Sequence, residues 1–323
     1  MTQPLSELTT IHVGGQPERI HVANSRDELI AIAKDVWSRT DNWLILGGGS
    51  NLVAADELPE LEVILVRNLG VEYKGQGRVR VQAGENWKDF VIHTAKQGLA
   101  GIESLAGIPG TVGAAPIQNI GAYGQELSLT LHSLEFLDFK TGEIQIMSKT
   151  DCGFGYRDSI FKQGKQGLIT WVEFQFFTDL PAAHNELLES RVEEVLALRA
   201  SKGMVLNDAD RDTWSCGSFF TNPIVSESFA KTLPLDSPQW PTESDDGLTV
   251  KLSAAWLIEQ SGIHKGFALP GSKAAISSKH ALAITNRGDA SAEEVTQLAR
   301  YIQTQVSNKF GVNLVPEPNL IGF

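Results

Sequence analysis

The alternation of apolar and polar positions changes period several times along the 323 residues. Ser25-Arg-Asp-Glu28 carries the serine and glutamate of a capping box, and Leu29, Ile30, Ile32, Ala33 and Val36 follow at helical spacing, which predicts a helix. Trp43 to Leu46 is a short apolar run, a buried strand delivered straight into Gly47-Gly48-Gly49-Ser50-Asn51. Leu61 to Val66 and Arg78 to Gln82 read as strands, and Trp87 to Gln97 as a helix stopped by Gly98 at its C′ position. Strands are predicted again at Leu131 to Phe139 and Ile144 to Met147, joined by the turn Lys140-Thr-Gly-Glu143, and at Leu168 to Phe177, where aromatics alternate. Beyond these the pattern predicts a helix at Leu187 to Ala200, another around Leu252 to Gln260, and a strand at Ala281 to Asn286. A long helix then runs from the capping box Ser291-Ala-Glu-Glu294 to Gly311, and an extended segment completes the chain. Helices and strands mix without the regular βαβ rhythm of a doubly wound sheet, so the fold class is α+β.

Length exceeds what one small core uses and predicts two or three domains, with the polar and acidic run Lys202 to Asp212 as a boundary. A formal charge of −12 and a pI near 5.1 exclude a general nucleic-acid or anionic-membrane binder, because those surfaces repel a net anion. An anionic small substrate would need a locally basic pocket. The first residues hold no basic-then-apolar leader, and no apolar run is long enough for a bilayer, so a cytoplasmic location is expected. Cys152 and Cys216 are not in a Cys-x-x-Cys spacing; structural thiols and no metal site are expected.

Candidate chemistry begins with residues 107 to 124, where five glycines and two prolines in one stretch let backbone lie against something flat or phosphorylated. The alternative is an elaborate apolar loop. The second stretch of this kind, at 43 to 51, favours a pair of ligand cradles for one long ligand. It fails the dinucleotide fingerprint, since the sixth position is Leu52 and no clear helix follows, which disfavours a Rossmann domain. Gly266-Phe-Ala-Leu-Pro-Gly-Ser-Lys273 has the lysine and hydroxyl in the wrong order for a P-loop. Arg157 sits among aromatics in Phe154 to Phe161, suited to binding a carboxylate or phosphate, or to a structural pair with aspartate. Ser218 follows a glycine and precedes two phenylalanines. Its hydroxyl either faces a water-excluding pocket or bonds its own backbone, and the nucleophile-elbow pattern of a hydrolase is absent. Glu317, between Pro316 and Pro318, is either a carboxylate held in one orientation or part of an exposed tail.

Taken in order, these stretches carry a resemblance. Leu-Gly-Gly-Gly-Ser-Asn (46 to 51), Ala-Gly-Glu-Asn-Trp (83 to 87), Ile-Pro-Gly-Thr-Val-Gly (108 to 113) and Pro-Ile-Gln-Asn-Ile-Gly-Ala-Tyr-Gly (116 to 124) are followed by Tyr-Arg-Asp-Ser-Ile-Phe-Lys (156 to 162). Gly-Ser-Phe-Phe-Thr-Asn-Pro (217 to 223), Ala-Ala-Trp-Leu-Ile-Glu-Gln (254 to 260) and Pro-Glu (316 to 317) complete the set. Along nearly its whole length the chain resembles the bacterial UDP-N-acetylenolpyruvoylglucosamine reductases, flavoenzymes of peptidoglycan synthesis. The resemblance implies a non-covalent FAD in an FAD-binding domain of the p-cresol methylhydroxylase/vanillyl-alcohol oxidase type. That domain would have two α+β subdomains, residues 1 to 67 with 311 to 323 and residues 68 to 207, followed by an α+β substrate-binding domain at 208 to 310. It implies flavin reduction by NADPH, hydride delivery to the enolpyruvyl vinyl carbon, UDP-N-acetylmuramate as product, and no obligate protein partner.

Residue by residue, the resemblance places Gly47, Gly48, Gly49, Ser50, Asn51, Ile108, Pro109, Gly110, Gly113, Ala114, Asn119 and Gly121 on the FAD. Arg157 takes the substrate carboxylate, where negative charge builds, Ser218 donates the proton, and Glu317 works with Arg157. Tyr156, Lys202, Asn222 and His280 match substrate-binding positions. Two departures stand out. The chain's tyrosines are Tyr73, Tyr123, Tyr156 and Tyr301 only, so the lid tyrosine of many members is absent, and the segment Asp179 to Leu188 that would carry it is short. Pro-Glu-Pro-Asn replaces the usual Pro-Glu-Val-Arg. The competing readings are a flavin oxidase of the same superfamily acting on another substrate, and a catalytically silent nucleotide-sugar-binding paralogue.

Overall fold

The computed structural model describes residues 3–178, 184–244 and 247–323; residues 179–183, where the missing lid segment begins, lie outside the described residues. The chain forms two compact units, the first from Met1–Pro4, Gln16–Gly49 and Leu58–Val205, the second from Leu5–Gly15, Ser50–Glu57 and Leu206–Phe323.

Besides a two-stranded sheet, the first unit holds two larger ones. In the smaller, β1 (Pro17–Ala23) and β2 (Trp43–Leu46) both lie parallel to the central β4 (Leu58–Val66), with α1 (Arg26–Trp37) connecting β1 to β2. Helix α1 buries Leu29, Ala33 and Val36 against Ala23, Ile64 and Val66, as its period requires. Its N-terminus differs slightly from the predicted box. Ser25 Oγ accepts from the Glu28 amide at 3.2 Å, but the Glu28 carboxylate reaches back to the Asn24 amide at 2.8 Å, one residue outside the cap. The larger sheet runs β10 (Ile144–Ser148), β9 (Leu131–Asp138), β11 (Gly167–Gln175), β6 (Arg78–Gln82) and β5 (Val71–Gly75), antiparallel throughout. Trp87 and Phe90 of α2 (Trp87–Lys96) pack on Phe174 and Phe176 in its core, while α3 (His184–Ser201) contributes Leu188, Val192 and Val195. The predicted turn after β9 forms because Asp138 Oδ1 accepts from the Lys140 and Thr141 amides. Two-residue strands β7 (Gly121–Ala122) and β8 (Gln125–Glu126) make a small hairpin in the long glycine-rich stretch.

In the second unit, β3 (Leu52–Ala54) pairs in parallel with β17 (Asn319–Ile321). An antiparallel sheet is ordered β12 (Ile224–Ser226), β14 (Gly247–Leu252), β13 (Gln239–Ser244), and β15 (Ala274–Ile276) pairs with β16 (Ile284–Asn286). Helix α4 (Glu227–Ala230) is one turn, and α5 (Ala254–Gln260) starts later than its pattern suggests, because Leu252 ends β14 and Ser253 caps the helix. Helix α6 (Ala292–Phe310) has both bonds of its predicted capping box and ends at Gly311 with φ +68°. Asp56 adds a carboxylate at its N-terminus, accepting from the Ala292 and Glu293 amides. Its buried face, Val295, Leu298, Ile302 and Val306, shares a core with Phe219, Phe220, Leu257 and Ile258.

Cys152 and Cys216 are buried and unpaired, and burial pushes both thiols up to about 12. They are structural, as expected. Among the described residues no helix is long and apolar enough to cross a membrane, and no group of three His, Cys, Asp or Glu is placed to hold a metal ion.

Candidate active site

The two glycine-rich stretches meet. A Cβ added to Gly48 would stand 2.7 Å from Gly110 Cα, and one added to Gly47 would overlap Thr111 Oγ1, so the loop after β2 lies backbone to backbone on the 110–111 turn. Gly49 and Gly110 themselves need positive φ, +60° and +125°. On its other side the 110–113 segment is laced to 83–87. Trp87 N–H donates to Gly110 O at 3.1 Å, Val112 N–H to Glu85 O at 2.9 Å and Gly113 N–H to Ala83 O at 2.9 Å, and Gly113 has no room for a side chain against Ala83. Ala114 closes the turn by donating to Thr111 O, and the Ile108 amide donates to Leu105 O just before Pro109. Arg67, absent from the sequence-based site, donates to Gly47 O at 2.9 Å and to Val66 O at 2.8 Å; burial lowers its pKa. Its place directly after β4 was the available signal.

Arg157 lies in the same unit. Its backbone is left-handed at φ +52°, its guanidinium donates to Gly121 O, and its charge lies 5.4 Å over the Tyr156 ring. Asn119 is fully buried with φ +46°, its Nδ2 donating to Gly155 O at 3.0 Å and its Oδ1 accepting from the Ser128 amide at 3.0 Å. Lys202, just past α3, holds its ammonium 5.9 Å from the Tyr123 ring.

Ser218, Glu317, Asn222 and His280 belong to the second unit. Residue Phe219, next to Ser218, is clamped from both sides: its amide donates to Leu282 O at 2.8 Å and its carbonyl accepts from the Glu317 amide at 2.9 Å. The serine and the carboxylate thus sit on paired backbone, with the turn bearing His280 opposite. Asn51 ties the same strap down, its Nδ2 donating to Glu317 O at 3.3 Å and its carbonyl accepting from the Asn319 amide at 3.0 Å, beside half-buried Ser50. The Ser218 hydroxyl is half-buried and bonds no other described residue, so the backbone-bonding alternative has no partner here. Asn222 spends its Oδ1 on the Ala254 amide at 3.0 Å, at the start of α5.

The His280 turn is organised by Asp212, which lay in the polar run read as a domain boundary. Its carboxylate accepts from Ser277 Oγ and the Ser278 amide at 2.8 Å each and from Ser278 Oγ at 2.5 Å, with Arg287 at 3.2 Å. Burial works to raise its pKa, but these donors outweigh it and hold the carboxyl below the usual range. Within the turn the Leu282 amide donates to His280 Nδ1 at 3.1 Å, so a neutral ring carries its proton on Nε2.

The family model for the C-terminal domain of UDP-N-acetylenolpyruvoylglucosamine reductase matches residues 208–321, and the model for an FAD binding domain matches residues 17–148. A reductase of that name from Leifsonia xyli is 48% identical, with 100% of this chain and 99% of that protein covered. The chain belongs to the UDP-N-acetylenolpyruvoylglucosamine reductase family. A second family member, from Mycobacterium tuberculosis H37Rv, is 41% identical over 99% of this chain and 94% of its own length. The crystal structure of the Thermus caldophilus reductase superposes with a TM-score of 0.73 at 28% identity, covering 99% of this chain and 98% of that one. The expected α+β class with an FAD-binding domain is therefore the observed one. In this reductase-family chain the residues of the first unit fit the cofactor. The missing side chains at Gly47, Gly48 and Gly113 let these loops pack backbone to backbone, with Arg67 bracing Gly47 O, and such bare, half-buried loop backbone suits a flat, phosphorylated group.

Proposed function

We propose that the chain is an FAD-containing, NADPH-dependent oxidoreductase that reduces the enolpyruvyl group of UDP-N-acetylenolpyruvoylglucosamine to give UDP-N-acetylmuramate, a step of peptidoglycan synthesis. Full-length identity of 48% to a reductase of that name carries this reading. When bound, FAD supplies a hydride acceptor for NADPH and a hydride donor for the vinyl carbon. The 47–49 and 108–114 loops, with Ser50 and Asn51, hold that group. Hydride addition leaves negative charge on the substrate carboxylate, and Arg157 offsets it with a fixed guanidinium. Ser218 then gives its hydroxyl proton to the α-carbon, and Glu317, on backbone paired with Phe219, orients that end of the substrate. His280 Nε2–H is a donor suited to a diphosphate oxygen, and Lys202, Tyr156 and Asn222 complete the binding of the UDP-sugar.

The residue roles, a cytoplasmic location and the division into two FAD-binding subdomains (1–67 with 311–323; 68–207) and a substrate domain (208–310) are part of the same proposal. The two larger sheets of the first unit support two FAD-binding subdomains, whereas residues 5–15, 50–57 and 311–323 cluster with residues 206–310 in the second unit. One cuvette tests the function. Purified protein should be yellow, bleach anaerobically with NADPH, and recover its colour on addition of the enolpyruvyl substrate. Recovery only with oxygen would favour the oxidase, and no bleaching at all the silent paralogue.

A further inference from the structure

Three non-glycine residues with left-handed backbone fall in two short loops of the first unit, Asn119 (φ +46°), Tyr123 (φ +48°) and Arg157 (φ +52°). Such conformations are kept only where the surroundings over-determine them. Here the determinants are visible. The buried Asn119 side chain bridges Gly155 O and the Ser128 amide, and Ser159 Oγ donates to Ile117 O at 2.6 Å, which together staple residues 117–128 to residues 155–159. Gly121, within the stapled segment, accepts Arg157 Nη2 on its carbonyl. Its own backbone lies outside the left-handed region, so conformation does not demand glycine there. Its neighbours do: a Cβ on Gly121 would stand 2.7 Å from Arg157 Nη1, 3.0 Å from Gln125 O and 3.1 Å from Glu126 Cβ, so room for it must come first from the guanidinium, the one movable side-chain end among the three.

We propose that Asn119 and Gly121 act as positioning residues for Arg157, forming the seat that aims its guanidinium, in place of the flavin contact the resemblance assigns them. This rests on the assignment of Arg157 to the substrate carboxylate. A carbonyl anchor suits that task. It takes one of the five N–H donors of a guanidinium, fixes the plane of the fork, and brings no anion of its own to compete with the substrate.

The test is a double-mutant cycle on the holoenzyme, reading FAD stoichiometry, melting temperature, calorimetric affinity for the enolpyruvyl substrate, and the two half-reactions by stopped flow. Gly121→Ala should retain FAD and be reduced by NADPH within about twofold of wild type, yet bind substrate more weakly and reoxidise about 100-fold more slowly, the effect of a misplacement near 1 Å. In an Arg157→Ala background the same change should add nothing to either substrate readout. Equal losses in both backgrounds, or loss of FAD, would overturn the proposal and return Gly121 to the cofactor. Should Gly121→Ala fold poorly, removing the Arg157 side chain relieves the shortest contact and should restore part of the melting temperature, with the contacts to Gln125 O and Glu126 Cβ left in place; no restoration counts against the seat. The underlying assignment fails separately, if Arg157→Ala alone reoxidises at the wild-type rate.

Discussion

Gly48→Ala places a methyl group between two backbones. It would stand 2.7 Å from Gly110 Cα and 3.2 Å from Gly110 C, whereas ordinary contact begins near 3.4 Å, so the loops must part by about 0.7 Å. Neither neighbour is a side-chain end that can swing away, and Gly110 O is tied to the first amide of α2. Overpacking of this kind costs about 1–3 kcal/mol. The free protein can shed that strain by opening the loop, but a form that closes both loops on FAD cannot, so the cost appears as a dissociation constant about 5- to 150-fold weaker. Titrating FAD into apoprotein and following quenching of flavin fluorescence measures it. Gly47→Ala supplies the internal contrast, since its clash is with the Thr111 hydroxyl and Thr111→Ala should relieve it. A dissociation constant for Gly48→Ala within about twofold of wild type, a spread well below that predicted range, would refute the reasoning that the loops hold FAD in this closed arrangement.

Ser218→Ala should leave reduction by NADPH intact and slow reoxidation by the enolpyruvyl substrate by about 10²–10⁴, while Ser218→Cys recovers part of the loss; equal oxidative rates remove Ser218 from the mechanism. Denaturation by acid or heat should release intact FAD, because neither glycine-rich loop contains a histidine or cysteine to tether it, and flavin retained on the chain would contradict this. Asp212→Asn should lower stability at pH 7 by about 1–3 kcal/mol in urea titrations, through unsatisfied donors around a buried group. The folded carboxyl titrates below its unfolded value, so its contribution is present above the unfolded pKa, near 4, and is lost as pH falls through the folded one; the variant should lack that part of the acid-side decline. With both thiols pushed up to about 12, the native protein should resist alkylation at pH 8 and react with two equivalents only when unfolded.

Segments with a strong period and a capping signal were readable from sequence, and α6 is the clearest, with its Ser291–Glu294 box and Gly311 stop both in place. Strand β5 was not, because all five of its residues are exposed and no alternation marks them. Strand β1 carries only Ile20 and Val22 as large aliphatics among polar residues, and its place was set by parallel pairing with β4, 40 residues away. For the site, motif order brought forward the residues proposed to bear chemistry and left out those that brace their surroundings. Arg67 and Asp212 act on backbone and turn atoms that no local pattern reveals. The left-handed backbone of Arg157 is likewise a tertiary result, since arginine has no preference for it. Asn222 shows the converse, a residue flagged for a ligand whose carbonyl oxygen serves a helix start.

The chain passes between the two units five times, at residues 4–5, 15–16, 49–50, 57–58 and 205–206. Neither unit is therefore a contiguous stretch of gene. Exchanging the second unit with that of a relative would mean grafting three separate pieces, and one junction would fall inside the Gly47–Asn51 loop, whose first three residues lie in one unit and last two in the other. Recombination that cuts the chain once cannot trade one unit for another without splitting a core. The pair can be expected to diverge by point substitution and loop change, and to be inherited whole.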